Sequence, residues 1–191
     1  VAEPTSPLSI GFQLSLDVML AVIFGATPTD RIRRLEAGFK DYFRTVNSAG
    51  FASVMALKFV SGGYAIPYPP LIKRAAAIDA MIRNEIGRRR AGTSANGGDA
   101  LASYLEHNEA SPDPKDDATA ARVMRGMVLA GYETTAITLG WLAEMLTHTP
   151  GVLARVEESV DGGDDTYLDA AVAEALRLRP AIPLTGRRAL R

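Results

Sequence analysis

The sequence contains no cysteine, which excludes a disulfide framework and any thiolate metal site within its 191 residues. Its only histidines, His107 and His148, are too far apart in sequence to suggest a metal cluster, so we predict no metal ligands in this chain. With 21 basic and 22 acidic residues, the net charge of −1 gives no reason to expect binding to nucleic acid or to an anionic membrane surface.

No signal peptide and no membrane anchor can be recognised near the N-terminus, where the first residues are polar and rich in proline. Val1 is not a natural start, however, so we expect the true N-terminus to lie upstream. We expect the parent protein to be cytoplasmic, soluble and of a bacterial kind.

The most informative segment is a long apolar stretch from about residue 116 to 148, which we predict to be a single helix about 45 Å long. It has no proline between Val123 and Leu146, and its only charges there are Arg125, Glu133 and Glu144. These charges argue against a membrane span, so we expect a buried core helix around which the rest packs. Asp117 or Thr119 can cap its start.

One face of this helix is predicted to carry small side chains, because helical spacing aligns Met127, Ala130, Gly131, Thr134 and Thr138. Such a face can be the floor beneath a broad ligand. Thr134 can return its hydroxyl to the carbonyl of Ala130, and Glu133 would add an ionisable group in an apolar setting. The alternative is a helix-packing seam with Glu133 at a solvated edge.

A second motif is a short helix from Asp169 that Pro180 stops. Glu174 and Arg177 are three positions apart, so they share a face and can form an ion pair. Taken alone, such a pair is usually an exposed ion pair that contributes little to stability.

Together the two motifs resemble the cytochrome P450 superfamily of haem-thiolate monooxygenases. Ala130 to Thr135 (AGYETT) is similar to the oxygen-activation motif on that family's long central I helix. Glu174 to Arg177 (EALR) is similar to the Glu-x-x-Arg motif of its K helix. The resemblance implies a mainly α fold, a partial cytochrome P450 fold running from about the E helix to the K helix.

The resemblance implies a haem b cofactor and the insertion of one oxygen atom from O2 into a small organic substrate. Electrons would come from NAD(P)H through a ferredoxin or a reductase. Thr134 and Glu133 would form the catalytic proton relay, and Ala130 and Gly131 would leave room beside the haem. The pair of Glu174 with Arg177 would be structural, partly buried and bidentate.

Further residues receive roles from the same resemblance. Met127 and Ala130 would line the substrate pocket from the central helix, and Ala181, Ile182 and Leu184 would line it after the K helix. Arg187 would bind a haem propionate, with Arg188 as the neighbouring alternative. A solvated pair of cations is the other interpretation of these arginines.

The cysteine that would ligate the haem iron is absent, and the chain is shorter than half of such an enzyme. We therefore interpret residues 1–191 as one partial domain, an internal fragment of the monooxygenase, and expect the fragment alone to be inactive. The rival hypothesis is a helical ligand-binding or scaffold domain without catalysis, which would leave the ordered pair of motifs to coincidence.

Several further helices are predicted from apolar periodicity and stop signals. They cover about residues 14–24, 29–49, 71–90, 99–107 and 152–160. The stretch from Phe51 to Pro70 is predicted to be mixed, as in the F–G connection of the family, and a β segment is possible only near residues 182–190.

Overall fold

The computed structural model describes residues 6–25, 29–60, 66–92 and 98–183. Within these ranges it contains eight α-helices and no strand, so the mainly α prediction is confirmed. The helices are α1 (Pro7–Phe24), α2 (Asp30–Val46), α3 (Ala49–Val60), α4 (Pro69–Arg90), α5 (Ala100–Glu109), α6 (Asp117–His148), α7 (Val152–Asp161) and α8 (Thr166–Leu178).

The chain divides into two compact units. The middle unit is Met19–Val128, and the terminal unit combines Val1–Val18 with Leu129–Arg191. Helices α1 and α6 each contribute residues to both units.

In the middle unit, α2 and α4 pack antiparallel. Arg31 Nε contacts Glu85 Oε2 at 3.1 Å, and Arg74 Nε contacts Asp41 Oδ2 at 2.6 Å toward the other ends of the two helices. Thr29 caps α2 by accepting from the N–H of Ile32 at 3.3 Å. The core between the helices is aliphatic and aromatic, with Leu35, Phe39, Ile78, Ile82, Ile86, Leu101 and Met124 buried.

A buried ion network, the Arg89 network, ties three helices of the middle unit together. Arg89 contacts Glu85 at 3.3 Å and Asp99 at 2.5 Å, and it donates to the carbonyl of Phe24 at 2.9 Å. The side chains of Arg89, Glu85 and Asp99 are only 7%, 5% and 6% exposed. Burial acts to lower the pKa of Arg89. The hydrogen bonds and charges of Asp99 and then Glu85 together raise it by more, so the pKa of Arg89 lies above its ordinary value.

In the terminal unit, the start of α1 crosses the second half of α6 at close range. Phe12 packs on Tyr132 with ring centroids 5.1 Å apart. A side-chain carbon on Gly11 would lie 2.9 Å from the carbonyl oxygen of Ala136, and one on Gly140 would lie 3.1 Å from Leu8. The crossing therefore requires glycine or a shift of the backbone at Gly11.

Helix α6 confirms the predicted long helix, although its cap and its burial differ from expectation. Its cap is Asp116, whose carboxylate accepts from the N–H of Thr119 at 2.8 Å, and not Asp117 or Thr119. Burial is confined to Ala120, Ala121, Met124, Val128 and Ala136, whereas Val123, Met127 and Trp141 are each 38% exposed. The helix is thus buried along one face and not all around.

Helix α3 was not predicted, because the stretch after Phe51 was interpreted as mixed. The structure forms a helix there since no proline or glycine interrupts residues 51–60 and Ser48 accepts from the N–H of Phe51 at 3.3 Å. Phe51 packs on Tyr68 with a centroid separation of 5.7 Å. Most of the possible β segment, residues 184–190, lies outside the described residues.

Helix α1 is longer than predicted, since it begins at Pro7. Ser6 caps it by accepting from the N–H of Ser9 at 3.2 Å, and Gly25 ends it with a φ of 97°. Among the described helices it alone is long and apolar enough to cross a membrane, judged by length and composition, with 33% of it buried.

Candidate functional site

The candidate site begins with threonine hydroxyls in the second half of α6. Thr134 donates its hydroxyl to the carbonyl of Ala130 at 2.7 Å, and Thr138 donates to the carbonyl of Thr134 at 2.8 Å. The return bond predicted for Thr134 is therefore present. Because each donor is engaged, the hydroxyl oxygens offer lone pairs to any neighbour unless the side chain rotates.

These threonines lie on an open cleft of about 520 Å³ within the terminal unit. Helix α6 forms one wall, and α8 with the segment after it forms the other. The described lining is Thr134, Thr135, Thr138, Leu139, Val172, Leu176, Pro180, Ala181 and Ile182. The three hydroxyls supply its polar side-chain groups, and every other lining side chain is apolar.

The α8 wall follows from the sequence of that helix. Val172 and Leu176 are four positions apart, so one apolar stripe faces the cleft. Pro180 stops helical structure, which turns the following residues across the end of the cleft. Leu176 and Ile182 remain 44% and 66% exposed, so the cleft presents apolar surface that a ligand could cover.

Three of the predicted site residues meet in this cleft: Thr134, Ala181 and Ile182. Ala130, Gly131 and Glu133 are not among its described lining residues, and Met127 belongs to the middle unit. Leu184, Arg187 and Arg188 lie outside the described residues. Their assigned roles stay predictions.

Sequence reasoning missed much of the cleft. It did not single out Thr135, Leu139, Val172 or Leu176, and it placed Thr138 only on the small-residue face. The spacing of Thr134 with Thr138 and of Val172 with Leu176 carried the signal. What the sequence could not show is that these two stripes face each other.

Glu133 does not occupy the apolar setting expected for it, because it is exposed in the structure. Successive helical residues point about 100° apart, so Glu133 is turned away from the direction of Thr134. Its neighbour Tyr132 is half-buried against Phe12, and burial, followed by the charge of Glu133, raises the pKa of Tyr132.

The pair of Glu174 with Arg177 forms as predicted, with bidentate geometry. Arg177 Nε and Nη2 each donate to a Glu174 carboxylate oxygen at 2.7 Å. The side chains are 55% and 67% exposed, so the expected partial burial is not found in this chain. The Arg177 hydrogen bond lowers the pKa of Glu174, and the Glu174 hydrogen bond raises that of Arg177.

Beside this pair, Arg179 lies over the ring of Trp141 at 4.8 Å from the centroid. This cation–π contact joins the end of α8 to α6 within the terminal unit. It holds the segment leading to Ala181 and Ile182 against the helix that carries Thr134.

The chemistry of the cleft fits an apolar ligand with a polar reacting group near Thr134. Small and apolar side chains can contact a flat ring system, and the hydroxyls can accept or pass a proton. No group of three acidic, histidine or cysteine residues that could hold a metal occurs in the described part of the chain.

Comparison with known proteins gives consistent matches. The sequence profile of the Cytochrome P450 family matches residues 2–191. A Mycobacterium tuberculosis protein provisionally named cytochrome P450 137 is 32% identical over 188 residues, covering 98% of this chain and 39% of that protein. Another from that species, provisionally named cytochrome P450 135A1, is 27% identical over 176 residues, covering 92% of this chain and 38% of that protein.

A further relative has a higher sequence identity over a shorter segment. A Mycobacterium bovis protein provisionally named cytochrome P450 138 is 45% identical over 62 residues, which is 32% of this chain and 14% of that protein. No solved structure matches the chain at a significant level. This chain thus spans about two fifths of the length of the curated relatives first matched. Because the family profile covers nearly every residue, the chain belongs to the cytochrome P450 family.

Proposed function

We propose that this chain forms part of a haem-dependent monooxygenase that inserts one atom of O2 into a small organic substrate. Membership of the cytochrome P450 family supports the reaction class. The observation that carries the proposal is the convergence of Thr134, Ala181 and Ile182 on one apolar cleft. The central helix and the segment after α8, which are far apart in sequence, thus contribute to a single site.

The cleft supports a haem b site along the α6 face. When bound, the haem would supply reductive activation of dioxygen. Thr134 and Thr138 would present hydroxyls toward it, and Ala130 and Gly131 would leave space on the preceding turn. We propose that Arg187 holds a propionate, with Arg188 as the alternative. The thiolate ligand would come from a part of the protein outside these 191 residues, since they include no cysteine.

Ala181, Ile182 and Leu184 are proposed to contact substrate after α8, together with Met127 and Ala130 from α6. Apolar contacts of this kind exclude water and favour an organic substrate over a charged one. Ala181 and Ile182 support this through their position in the cleft lining.

Thr134 is the proposed proton donor of the site. Its hydroxyl donates to the Ala130 carbonyl at 2.7 Å, so passing a proton into the cleft requires that bond to open. Glu133 is exposed, so it would connect the site to the protons of bulk water. The relay we propose therefore carries a proton from solvent through Glu133 toward Thr134, with water between them.

The remaining roles concern the whole protein. We propose that residues 1–191 belong to one domain, that the pair of Glu174 with Arg177 is structural, and that the protein is cytoplasmic. Electrons would come from NAD(P)H through a ferredoxin or a reductase.

The test is Thr134→Ala in the full-length natural protein, with Thr147→Ala as the matched control. Thr147 makes the same kind of return bond, to the Ala143 carbonyl at 3.0 Å, but it is exposed and absent from the described lining of the cleft. We expect Thr134→Ala to keep haem and substrate binding. For each product formed, it should release about tenfold or more peroxide than the unmodified protein does. Thr147→Ala should couple normally. Equal product per NAD(P)H in Thr134→Ala and the unmodified protein would exclude the relay.

A further inference from the structure

A second cleft, of about 530 Å³, lies within the middle unit between the start of α2 and the second half of α4. We call it the arginine cleft, because its lining includes Arg31, Arg34, Arg83 and Arg88. Glu85 is the acidic residue among its described lining, and Gly87 forms part of its wall. The antiparallel packing of α2 on α4 brings these arginines together from two helices.

The carboxylate of Glu85 does not neutralise the cleft. It is 5% exposed, and it accepts from Arg31 at 3.1 Å and from Arg89 at 3.3 Å. Arg89 also holds Asp99, so these two arginines and two carboxylates balance one another. This network does not include Arg34 or Arg83.

The carboxylates one helical turn from Arg34 and Arg83 are also engaged. Asp30 pairs with Arg33, and Asp79 pairs with Arg125 at 2.7 Å. Across the ranges that the structure describes, neither Arg34 nor Arg83 has an ion-pair partner, and both are exposed. Two exposed arginines from different helices therefore line one concavity.

Gly87 keeps part of the cleft open. A glycine inside a helix costs about 1 kcal/mol relative to alanine, and close packing often explains its presence. Here a side-chain carbon would meet nothing within 4 Å, so packing gives no reason for the glycine. The space beside it is instead available to a ligand.

We propose that the arginine cleft binds a soluble small molecule carrying a phosphate or diphosphate group. The planar guanidinium group can bind two phosphoryl oxygens at once, and Arg34 and Arg83, which make no close ion pair with the described residues, supply positive charge for a phosphoryl dianion. A volume of about 530 Å³ exceeds what a bare ion needs and suits a small organic phosphate. The described lining contains no large exposed apolar residue, which favours a soluble ligand over a lipid whose chains need an apolar rim.

The test measures the binding of inorganic diphosphate to the full-length natural protein by calorimetry. The variant Arg34→Gln/Arg83→Gln is compared with Arg44→Gln/Arg122→Gln, which removes the same charge from exposed arginines outside the cleft lining. We expect the dissociation constant to rise about tenfold or more in the first double variant and less than about twofold in the second. An equal rise in both, or no saturable binding by the unmodified protein, would overturn the proposal.

Two further measurements test where the ligand binds and whether it is a soluble molecule or a lipid. Gly87→Ala should weaken diphosphate binding, whereas Gly126→Ala, another helical glycine with nothing within 4 Å, should leave it unchanged. Unchanged affinity in Gly87→Ala would refute placement of the ligand in this cleft. Binding to phosphatidic acid vesicles that depends on Arg34 and Arg83, with no binding of diphosphate, would replace the soluble ligand by a lipid and overturn the proposal as stated.

Discussion

The crossing of α1 over α6 makes a sharp prediction for Gly11→Ala. The new carbon would lie 2.9 Å from the Ala136 carbonyl oxygen and 3.5 Å from the Leu139 side chain. Ordinary contacts of this kind begin near 3.4 Å, so α1 must move by about half an ångström or strain must accumulate. Overpacking of this kind costs about 1–3 kcal/mol.

A second term opposes this strain. Replacing glycine by alanine inside a helix stabilises it by about 0.5–1 kcal/mol. We therefore expect Gly11→Ala to destabilise the protein by a net of about 0–2.5 kcal/mol. Gly126→Ala, where nothing lies within 4 Å, is the matched control and should be stabilising by about 0.5–1 kcal/mol.

The assay is urea unfolding of the full-length natural protein and the two variants. Subtracting the result for Gly126→Ala from that for Gly11→Ala cancels the helix-propensity term and leaves the steric cost of about 1–3 kcal/mol. Because Leu139 also lines the candidate site, Gly11→Ala should in addition weaken substrate binding. Equal stability of the two variants would show that the helices do not approach as closely as the structure places them.

Two further predictions concern the ion pairs. Arg89→Gln should destabilise the full-length natural protein by about 3–5 kcal/mol in urea unfolding, because Asp99 would keep a buried charge without its partner and Glu85 would keep only Arg31; a loss below about 1 kcal/mol would contradict this. Arg177→Gln should raise the pKa of Glu174 toward its ordinary value of 4.5, measured by carboxyl NMR. The pKa of Glu174 in the folded protein is lowered. The pair therefore contributes its full stabilisation above about pH 4.5, and this stabilisation is lost as the pH falls through the pKa of folded Glu174. The same variant should lose haem from the full-length protein, and unchanged haem content would exclude a structural role for the pair.

Much of the fold could be predicted because its signals are local. Pro180 and Gly25 mark helix ends, and the apolar run of α6 needs no distant partner to be recognised. Family resemblance, and not spacing, assigned roles to Thr134, Ala181 and Ile182, and those roles stay predictions.

What could not be predicted depends on contacts between distant parts of the chain. Arg89 stands between Arg88 and Arg90 in the last turn of α4, yet the carbonyl that it binds, at Phe24, lies 65 positions away. The exposure of Glu133 likewise depends on which face of α6 meets other helices. A hydrophobic pattern gives the period of a helix, but it does not give the identity of the surface that covers it.

The Arg89 network also restricts the order in which its members can change during evolution. A chain that first loses Arg89 passes through a state in which the buried carboxylate of Asp99 has lost its arginine and Glu85 keeps only Arg31, whereas neutralising Glu85 first leaves Arg89 paired with Asp99. The two routes reach the same double-substituted sequence, but their single-substituted intermediates differ in stability. Such a difference is expected where the effects of two substitutions are not additive. Homologues that lack this arginine should therefore also lack at least one of the two acids.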